Sequence, residues 1–267
     1  MNMDVLYVVG NRLSQWNNNE LRYSLRSIAR NAKGLGRVFI AGYIPEFVDQ
    51  ESVTCVRVKD QSQIKHVNIL RAIDTAIKQT DIGKDDGGWF LYSSDDHFYI
   101  QETDFAHYPI YWRGEELPEE VKKGDGAASY HTTLVSTRKL LEWCGLPVNN
   151  MAWHGNTYFN AALWKEERFQ FLLRNAYEMP EGCEPTCLML NYWMQNGGHV
   201  GSFCGVSEQY IYKRRREVII RPDYKYQGGN VFQVPDREVI SAHDNIGTSA
   251  LAVFLRDMFP RKCWFER

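Results

Sequence analysis

The first hundred residues alternate between short apolar segments and longer amphipathic segments, and this order restricts the chain to few folds. Residues 20–32 and 63–79 carry apolar side chains at three- and four-residue steps, which predicts two amphipathic helices. The order strand, helix, strand, strand, helix, strand is typical of an α/β fold with a mostly parallel sheet flanked by helices. The four predicted strands are short apolar runs: residues 4–9, 37–42, 53–58 and 89–92.

The fourth strand leads into a polar cluster, Ser93 to His97, whose sequence SSDDH contains two adjacent carboxylates. Adjacent carboxylates at the end of a buried strand are costly unless a cation meets them. The carboxyl ends of strands are also where open α/β sheets bind ligands, and Mg²⁺ and Mn²⁺ prefer carboxylate and phosphate oxygens. The cluster therefore predicts a site for a divalent cation and a diphosphate. Its structural alternative is a solvated turn rich in Asp and Ser.

Composition indicates a globular protein and excludes several other classes. The chain has 267 residues, 44% of them hydrophobic and 24% charged, with a formal net charge of -2. This suits one large domain or two small ones, and it argues against tight nonspecific binding to DNA. No run of about 18 apolar residues is present, and the start MNMDVLYVVGN lacks the features of a secretory signal. We therefore predict a cytoplasmic protein without a membrane span, whose cysteines are reduced thiols rather than zinc ligands.

Three segments carry a resemblance to a known class of enzymes. DVLYVVG, ELRYSLRSIARNAKGLGRVFIAGYIPEF and WFLYSSDDHF together resemble the nucleotide-binding half of a GT-A glycosyltransferase. NNNELRYSLRSIARNAKGLGRVFIAG is especially similar to a block in Stealth-type sugar-phosphate transferases, which make capsular polysaccharide. The ending FPRKCWFER resembles the tail of bacterial and phage glycosyltransferase-like proteins. The resemblance covers the first hundred residues well and the rest in outline.

The resemblance implies a GT-A-like, Rossmann-type sheet that is mixed but mostly parallel, flanked by helices, in a single large domain with an acceptor-side subregion. Residues 1–100 would form the nucleotide-sugar-binding half. Residues 101–267 would form the acceptor-binding half, whose C-terminal strand and helix return to the metal site.

The GT-A pattern also implies a metal site at the acidic cluster. In that pattern the central strand ends in Asp-x-Asp, which holds the metal on the donor's diphosphate. The matching stretch here is Ser94-Asp95-Asp96, so Ser94 stands where the pattern has its first acid. The resemblance implies Mn²⁺ or Mg²⁺ on Asp96 first and Asp95 second, with His243 (or Asp244) as a late residue that returns to the metal.

The same resemblance implies a nucleotide-sugar donor, most simply a UDP-sugar, bound at the loop after the first strand. Arg71 and Lys262 are candidates to meet phosphate, although a surface cation is more commonly solvated. The implied donor contacts are Val9, Gly10, Asn11, Arg12, Arg71, Ser94 and Lys262.

Glu184 precedes the apolar helix CLMLNYWMQ in the acceptor half, where many GT-A enzymes keep their catalytic base. A carboxylate is needed there to take the proton from an acceptor hydroxyl. Asp95 is the second candidate for a catalytic role. The structural alternative is that Glu184 only caps the helix and complements its dipole.

Two further stretches bear on the acceptor. Lys213 to Lys225 is strongly basic with interleaved tyrosines, which suits nucleic acid or a phosphorylated glycan, and a charged hairpin is the structural alternative. Met151 to Trp164 concentrates aromatic, amide and histidine side chains, which suit either sugar recognition or a core.

These observations leave three functions open. The first is a metal-dependent glycosyltransferase acting on a glycan or, as in phage DNA modification, on a hydroxymethylated base. The second is a Stealth-like sugar-1-phosphate transferase, which would release nucleoside monophosphate. The third is a non-catalytic protein that binds nucleotide, glycan or nucleic acid with a GT-A fold, since fold does not guarantee activity.

Overall fold

A computed structural model describes most of the chain: residues 2–10, 14, 16–108, 110, 115–121, 128–152, 156–198, 217–220, 239–242 and 250–267. In chain order the elements are β1 (Met3–Val9), α1 (Asn19–Asn31), β2 (Ala32–Lys33), β3 (Leu35–Gly42), β4 (Thr54–Arg57), α2 (Lys65–Gln79), a 3₁₀ turn (Lys84–Asp86), β5 (Trp89–Ser93), β6 (His97–Tyr99), β7 (Thr103–Asp104), α3 (Ala128–Trp143), β8 (Thr157–Asn160), α4 (Ala161–Lys165), α5 (Glu167–Glu178), α6 (Pro185–Gln195), β9 (Glu217–Ile220), β10 (Val239–Ala242) and α7 (Ala250–Met258).

The centre of the molecule is a five-stranded sheet in the order β4-β3-β1-β5-β8. The first four strands run parallel, and β8 pairs antiparallel with β5. The predicted α/β class, with a mixed but mostly parallel sheet flanked by helices in one domain, is confirmed. Strand order reverses at β1, because the chain goes from β1 to β3 and β4 on one side and then crosses to β5 on the other. Open sheets bind ligands at such a switch point.

Helices cover both faces of the sheet, which is why its strands are continuous apolar runs. α2 packs on β1, β3 and β4 and against α4, α5 and α6. On β1, Tyr7 bonds to Ser24 of α1 (2.9 Å between the two hydroxyl oxygens), so α1 lies on the other face from α2. A second apolar cluster joins α1 to α7 through Tyr23, Leu255 and Phe259.

The C-terminal residues cross the outer side of α1. Arg26 binds Glu266 through two bonds of 2.5 and 2.9 Å, and only 2% of the Glu266 side chain is exposed. Arg22 lies 3.5 Å from the same carboxylate. These two arginines therefore hold the C-terminal residues against α1 through the carboxylate of Glu266.

Three local structures add to or change the sequence-based expectations. The predicted strand at residues 89–92 is β5, and residues 97–99, after the turn at Asp95 and Asp96, form a separate strand, β6. The sequence predicts a helix only across Thr137 to Trp143, whereas α3 begins nine residues earlier, at Ala128. α3 packs against α5 and α6, and such tertiary contacts override weak helix propensity. In the aromatic stretch, Tyr158, Phe159 and Trp164 are fully buried, so these three form core.

No helix in the described parts of the chain has the length and apolar composition needed to cross a bilayer. The five cysteines that the structure describes are free thiols.

Candidate functional site

A cavity of about 750 Å³ opens at the carboxyl ends of β1, β3 and β5, on the α2 side of the sheet. We call it the switch cavity. Its walls include Val9 and Gly10 after β1 and Ser94 and Asp95 after β5, which are four of the residues predicted to bind donor or metal. Strand pairing brings them together, because Tyr7 lies opposite Ser93 in the parallel β1–β5 ladder. The remaining described lining is Val8, Gly42, Val58, Asp60, Gln61, Ser62, Gln63, Lys65, Asn68, Ile69, Ala72 and Tyr92.

Lys65 is the only cation among the described residues that line the switch cavity. It is the first residue of α2, it is exposed, and it forms no ion pair with a described residue. Its charge partly offsets the rise in the pKa of Asp95 that burial and the carboxylates of Asp96 and Glu20 cause. Lys65 thus stands opposite the acidic turn, where an anion bound in the cavity would meet it.

The two cations predicted to meet phosphate do not line this cavity. Arg71 donates to Gln61 Oε1 (3.2 Å), and its guanidinium lies 5.5 Å from the ring centre of Tyr177. Lys262 is exposed and donates to the carbonyl of Arg267 (3.0 Å). Arg71 therefore lies beside the cavity, bonded to the lining residue Gln61, without lining it.

Asn68 shapes the cavity wall through its side-chain amide. Its Oδ1 accepts the backbone N–H groups of Gln61 (3.1 Å) and Ser62 (3.0 Å), and its Nδ2 donates to the Ser62 carbonyl (2.8 Å). These bonds hold the loop before α2 against the first turn of the helix.

α1 and the segment leading into β8 fix the acidic turn from two sides. Ser24 Oγ donates to the His97 carbonyl (2.6 Å), and Ser27 Oγ accepts from the Tyr99 N–H (3.0 Å). Nδ1 of His97, which is buried, lies 3.0 Å from Asn156 Oδ1. These bonds hold β6, the strand that follows the turn, while Asp95 and Asp96 themselves form a half-buried turn.

Within this turn, the carboxylate of Asp95 is in an unfavourable environment for negative charge. Burial raises the pKa of Asp95, the neighbouring Asp96 raises it further, and Glu20 of α1 adds to the effect. Oδ1 of Asp96 is buried without a hydrogen-bond partner among the described residues and lies 3.8 Å from His97 Nε2. A bound cation would relieve the repulsion and satisfy this oxygen.

The described part of the chain holds no group of three or more His, Cys, Asp or Glu residues arranged as a metal site. Mg²⁺ is commonly bound by one or two protein carboxylates together with substrate phosphates, so two adjacent acids suffice for that kind of site. β10 pairs antiparallel with β6, with Ser241 opposite His97, which returns the chain to the acidic turn. His243, Asp244, Asn11 and Arg12 lie outside the described residues, as does the basic stretch apart from Glu217–Ile220.

Glu184 lies immediately before α6 and caps it. Its Oε2 accepts the Cys187 N–H (2.9 Å), as the structural alternative predicted, and its own N–H donates to Thr137 Oγ1 of α3 (2.9 Å). Burial nevertheless raises the pKa of Glu184 to about 7, because the hydrogen bonds from Cys187 and Thr186 only partly offset it. A carboxylate with a pKa near neutrality has the property required of a general base.

Tyr92 was not singled out by the sequence analysis. Its hydroxyl is influenced by the carboxylates of both acidic regions, which are the turn at Asp95 and Asp96 and the helix cap at Glu184. Burial raises the pKa of its hydroxyl, and so do the carboxylates of Glu184, Asp95 and Asp96, in that order. All three acids therefore lie within electrostatic reach of one hydroxyl in the cavity wall. The one sequence signal for it was a tyrosine at the polar end of an otherwise apolar strand.

Compared with known proteins, the chain matches no protein-family model, and no curated protein is significantly similar to it.

Proposed function

We propose that the protein is a metal-dependent glycosyltransferase, which moves a sugar from a nucleotide-sugar donor to a hydroxyl acceptor. One observation carries this proposal: a cavity at the switch point of the sheet is lined by Asp95 and Lys65, and the neighbouring Asp96 has a buried Oδ1 without a hydrogen-bond partner among the described residues. Group transfer from a diphosphate to a hydroxyl needs a cationic environment for the leaving group and a base for the acceptor proton. The sequence resemblance to GT-A enzymes supports the same assignment.

The switch cavity suits the donor in size and chemistry. Its volume of about 750 Å³ falls within the range of about 300–1,000 Å³ typical of small-molecule sites. Val9 and Gly10 line the part of the cavity where the nucleoside would lie, and Lys65 offers a positive charge to the diphosphate. Asp95 and Asp96 would hold Mn²⁺ or Mg²⁺, whose charge stabilises the leaving diphosphate.

Glu184 performs the proton transfer in this scheme. The acceptor hydroxyl oxygen forms a bond to the anomeric carbon, and the bond from that carbon to the diphosphate oxygen breaks. The electron pair of the broken bond leaves with the diphosphate, and the acceptor proton moves to the carboxylate of Glu184.

The donor site is tested by measuring the melting temperature with UDP, GDP, CDP and their sugar conjugates, each with and without MnCl₂. A ligand that binds only the folded state raises this temperature. We expect a rise that requires Mn²⁺ and is lost in Asp96→Asn. The control is Asp85→Asn, which removes an exposed carboxylate outside the cavity. The absence of a rise with every nucleotide would refute the proposal.

The released nucleotide identifies the reaction. Nucleoside diphosphate is expected from a glycosyltransferase, whereas nucleoside monophosphate would assign the protein to the sugar-1-phosphate transferases that its first half resembles. Trials with a glycan and with DNA containing hydroxymethylcytosine would then identify the acceptor.

A further inference from the structure

His97 follows the acidic turn directly, and the fold holds it in place from several sides. The residue is only 1% exposed. Its carbonyl accepts the hydrogen bond from Ser24 Oγ of α1 (2.6 Å), and Ser241 of β10 lies opposite it in the small sheet. The backbone that carries the imidazole is therefore fixed next to Asp96 before any ligand binds.

The contact with Asn156 determines which ring nitrogen of His97 carries the proton. Nδ1 lies 3.0 Å from Asn156 Oδ1, and an amide oxygen can only accept a hydrogen bond. Asn156 is fully buried, and its Nδ2 donates to the hydroxyl of Tyr99, which leaves Oδ1 to face the ring. Nδ1 is therefore the donor, and the neutral imidazole has its lone pair on Nε2.

Nε2 of His97 lies 3.8 Å from Oδ1 of Asp96. This distance is longer than the roughly 2.7–3.2 Å of a direct N–H···O hydrogen bond. Oδ1 is buried and has no hydrogen-bond partner among the described residues. Two ligand atoms at about 2.1 Å from one ion are about 3.0 Å apart at right angles and about 4.2 Å apart when opposite. The observed separation therefore fits one cation between the carboxylate and the imidazole.

We propose that Asp96 Oδ1 and His97 Nε2 bind the same divalent cation, so that the metal site has a nitrogen ligand. This inference rests on the proposed function for the role of the cation and goes beyond it by naming His97. A histidine that binds a metal usually donates its other ring N–H to an acceptor that orients it, and Asn156 is that acceptor here. Because Mg²⁺ takes oxygen ligands, a nitrogen ligand favours a transition metal such as Mn²⁺.

The test uses MnCl₂ alone, without nucleotide. Electron spin-echo spectroscopy of the wild-type protein loaded with Mn²⁺ should show coupling of the metal's electron spin to a directly bound nitrogen nucleus. Calorimetric titration should show that Mn²⁺ binds more tightly than Mg²⁺. A wild-type protein that binds no Mn²⁺, or binds it without nitrogen coupling, would overturn the inference.

His97→Gln should lose the nitrogen coupling and bind Mn²⁺ at least about 10- to 100-fold more weakly, since even the loss of a partner of a ligating histidine costs that much. His107→Gln is the matched control, because His107 is exposed and lies against Asp104 (2.8 Å). It should change neither coupling nor affinity. His243→Gln tests the histidine that the sequence resemblance assigns to the metal. Coupling that survives in His97→Gln and is lost in His243→Gln would overturn the inference.

Asp96→Asn keeps the test decisive if His97→Gln does not fold, because Asp96 is half-buried in a turn and the substitution preserves its shape. The variant should bind Mn²⁺ more weakly and lose the nitrogen coupling together with the carboxylate. Unchanged affinity and coupling in Asp96→Asn would place the metal elsewhere and overturn the inference. Failure of the proposed function gives a different result: Mn²⁺ binds with nitrogen coupling, but no nucleotide raises the melting temperature.

Discussion

Glu184 shows how one carboxylate serves both structure and proposed chemistry. Oε2 is committed to the Cys187 N–H at the start of α6, which leaves Oε1 for proton transfer. Burial disfavours the ionised form of the Glu184 carboxylate, as its pKa of about 7 indicates. Side chains that destabilise the fold when ionised are concentrated at functional sites.

Replacing Glu184 by Gln is expected to separate the two tasks. The amide oxygen can still cap α6, whereas general-base catalysis is lost, so the transfer rate should fall about 10²- to 10⁴-fold.

Because the folded-state pKa of Glu184 is raised to about 7, the folded protein binds more protons than the unfolded chain from about pH 4.3, the ordinary glutamate pKa, up to that value. The stability of the wild-type protein therefore falls as pH rises through this window.

The measurement is a melting curve at pH 5 and at pH 8. Glu184→Gln should melt at a higher temperature than wild type at pH 8, by about 2–4 °C for each kcal/mol, and the difference should shrink at pH 5. A variant that melts below the wild type at pH 8 would show that the carboxylate is needed for the fold.

Among the elements, the loop between α5 and α6 sets the distance between the two halves of the site. Gly182 has a φ of +68°, and a Cβ there would lie 2.9 Å from Ile64 Cγ2 and 3.1 Å from His66 Cβ. The loop is thus pressed against the residues that begin α2, next to Lys65. Only glycine permits this approach, and Glu184 is two residues further along.

Gly182→Ala should displace this loop and lower both stability and transfer rate. Gly145→Ala is the matched control, because Gly145 has a φ of +65° but a Cβ at that position would have no neighbour within 4 Å. We expect Gly145→Ala to cost about 1–2 kcal/mol of backbone strain alone, with normal activity. Gly182→Ala should melt lower still and lose activity about tenfold, as measured by melting curves and initial rates. Equal behaviour of the two variants would show that the contact with α2 is unimportant.

The elements also show which parts of the fold the sequence could predict. β1, α1, β3 and α2 follow from local periodicity, so their bounds agree with the prediction within one or two residues. Val9, Gly10, Ser94 and Asp95 line one cavity, because strand ends in a parallel sheet share an edge; their role as donor or metal ligands stays a prediction. The local sequence does not show in which direction a side chain points. Lys65 and Arg71 both lie near the start of α2, but only Lys65 lines the cavity. Tyr92 was missed because the sequence does not show that the charge of Glu184, which is 92 positions away, acts on its hydroxyl.

At the scale of the whole molecule, the two predicted halves share one core. α2 belongs to the first half, yet its outer side packs against α4, α5 and α6 of the second. Trp164, Phe169 and Leu188 of those helices are fully buried. β5 likewise depends on β8 for its second hydrogen-bonded neighbour.

A fragment of residues 1–104 is therefore expected not to fold alone. It would expose the apolar side of α2 and the open edge of β5, which favours aggregation. Circular dichroism should show no cooperative melting transition for the fragment, with the full chain as the control. A cooperative transition near the full-length melting temperature would show that the first half is an independent domain.

The pairing of Arg26 with Glu266 joins residues 240 positions apart, and this has a consequence for synthesis in the cell. Translation proceeds at about 5–20 residues per second, so α1 leaves the ribosome roughly 10–50 seconds before the residues that cover its outer side. Throughout that interval Tyr23 lacks Leu255 and Phe259, its neighbours in the finished protein. The first helix to be made is therefore among the last to be covered.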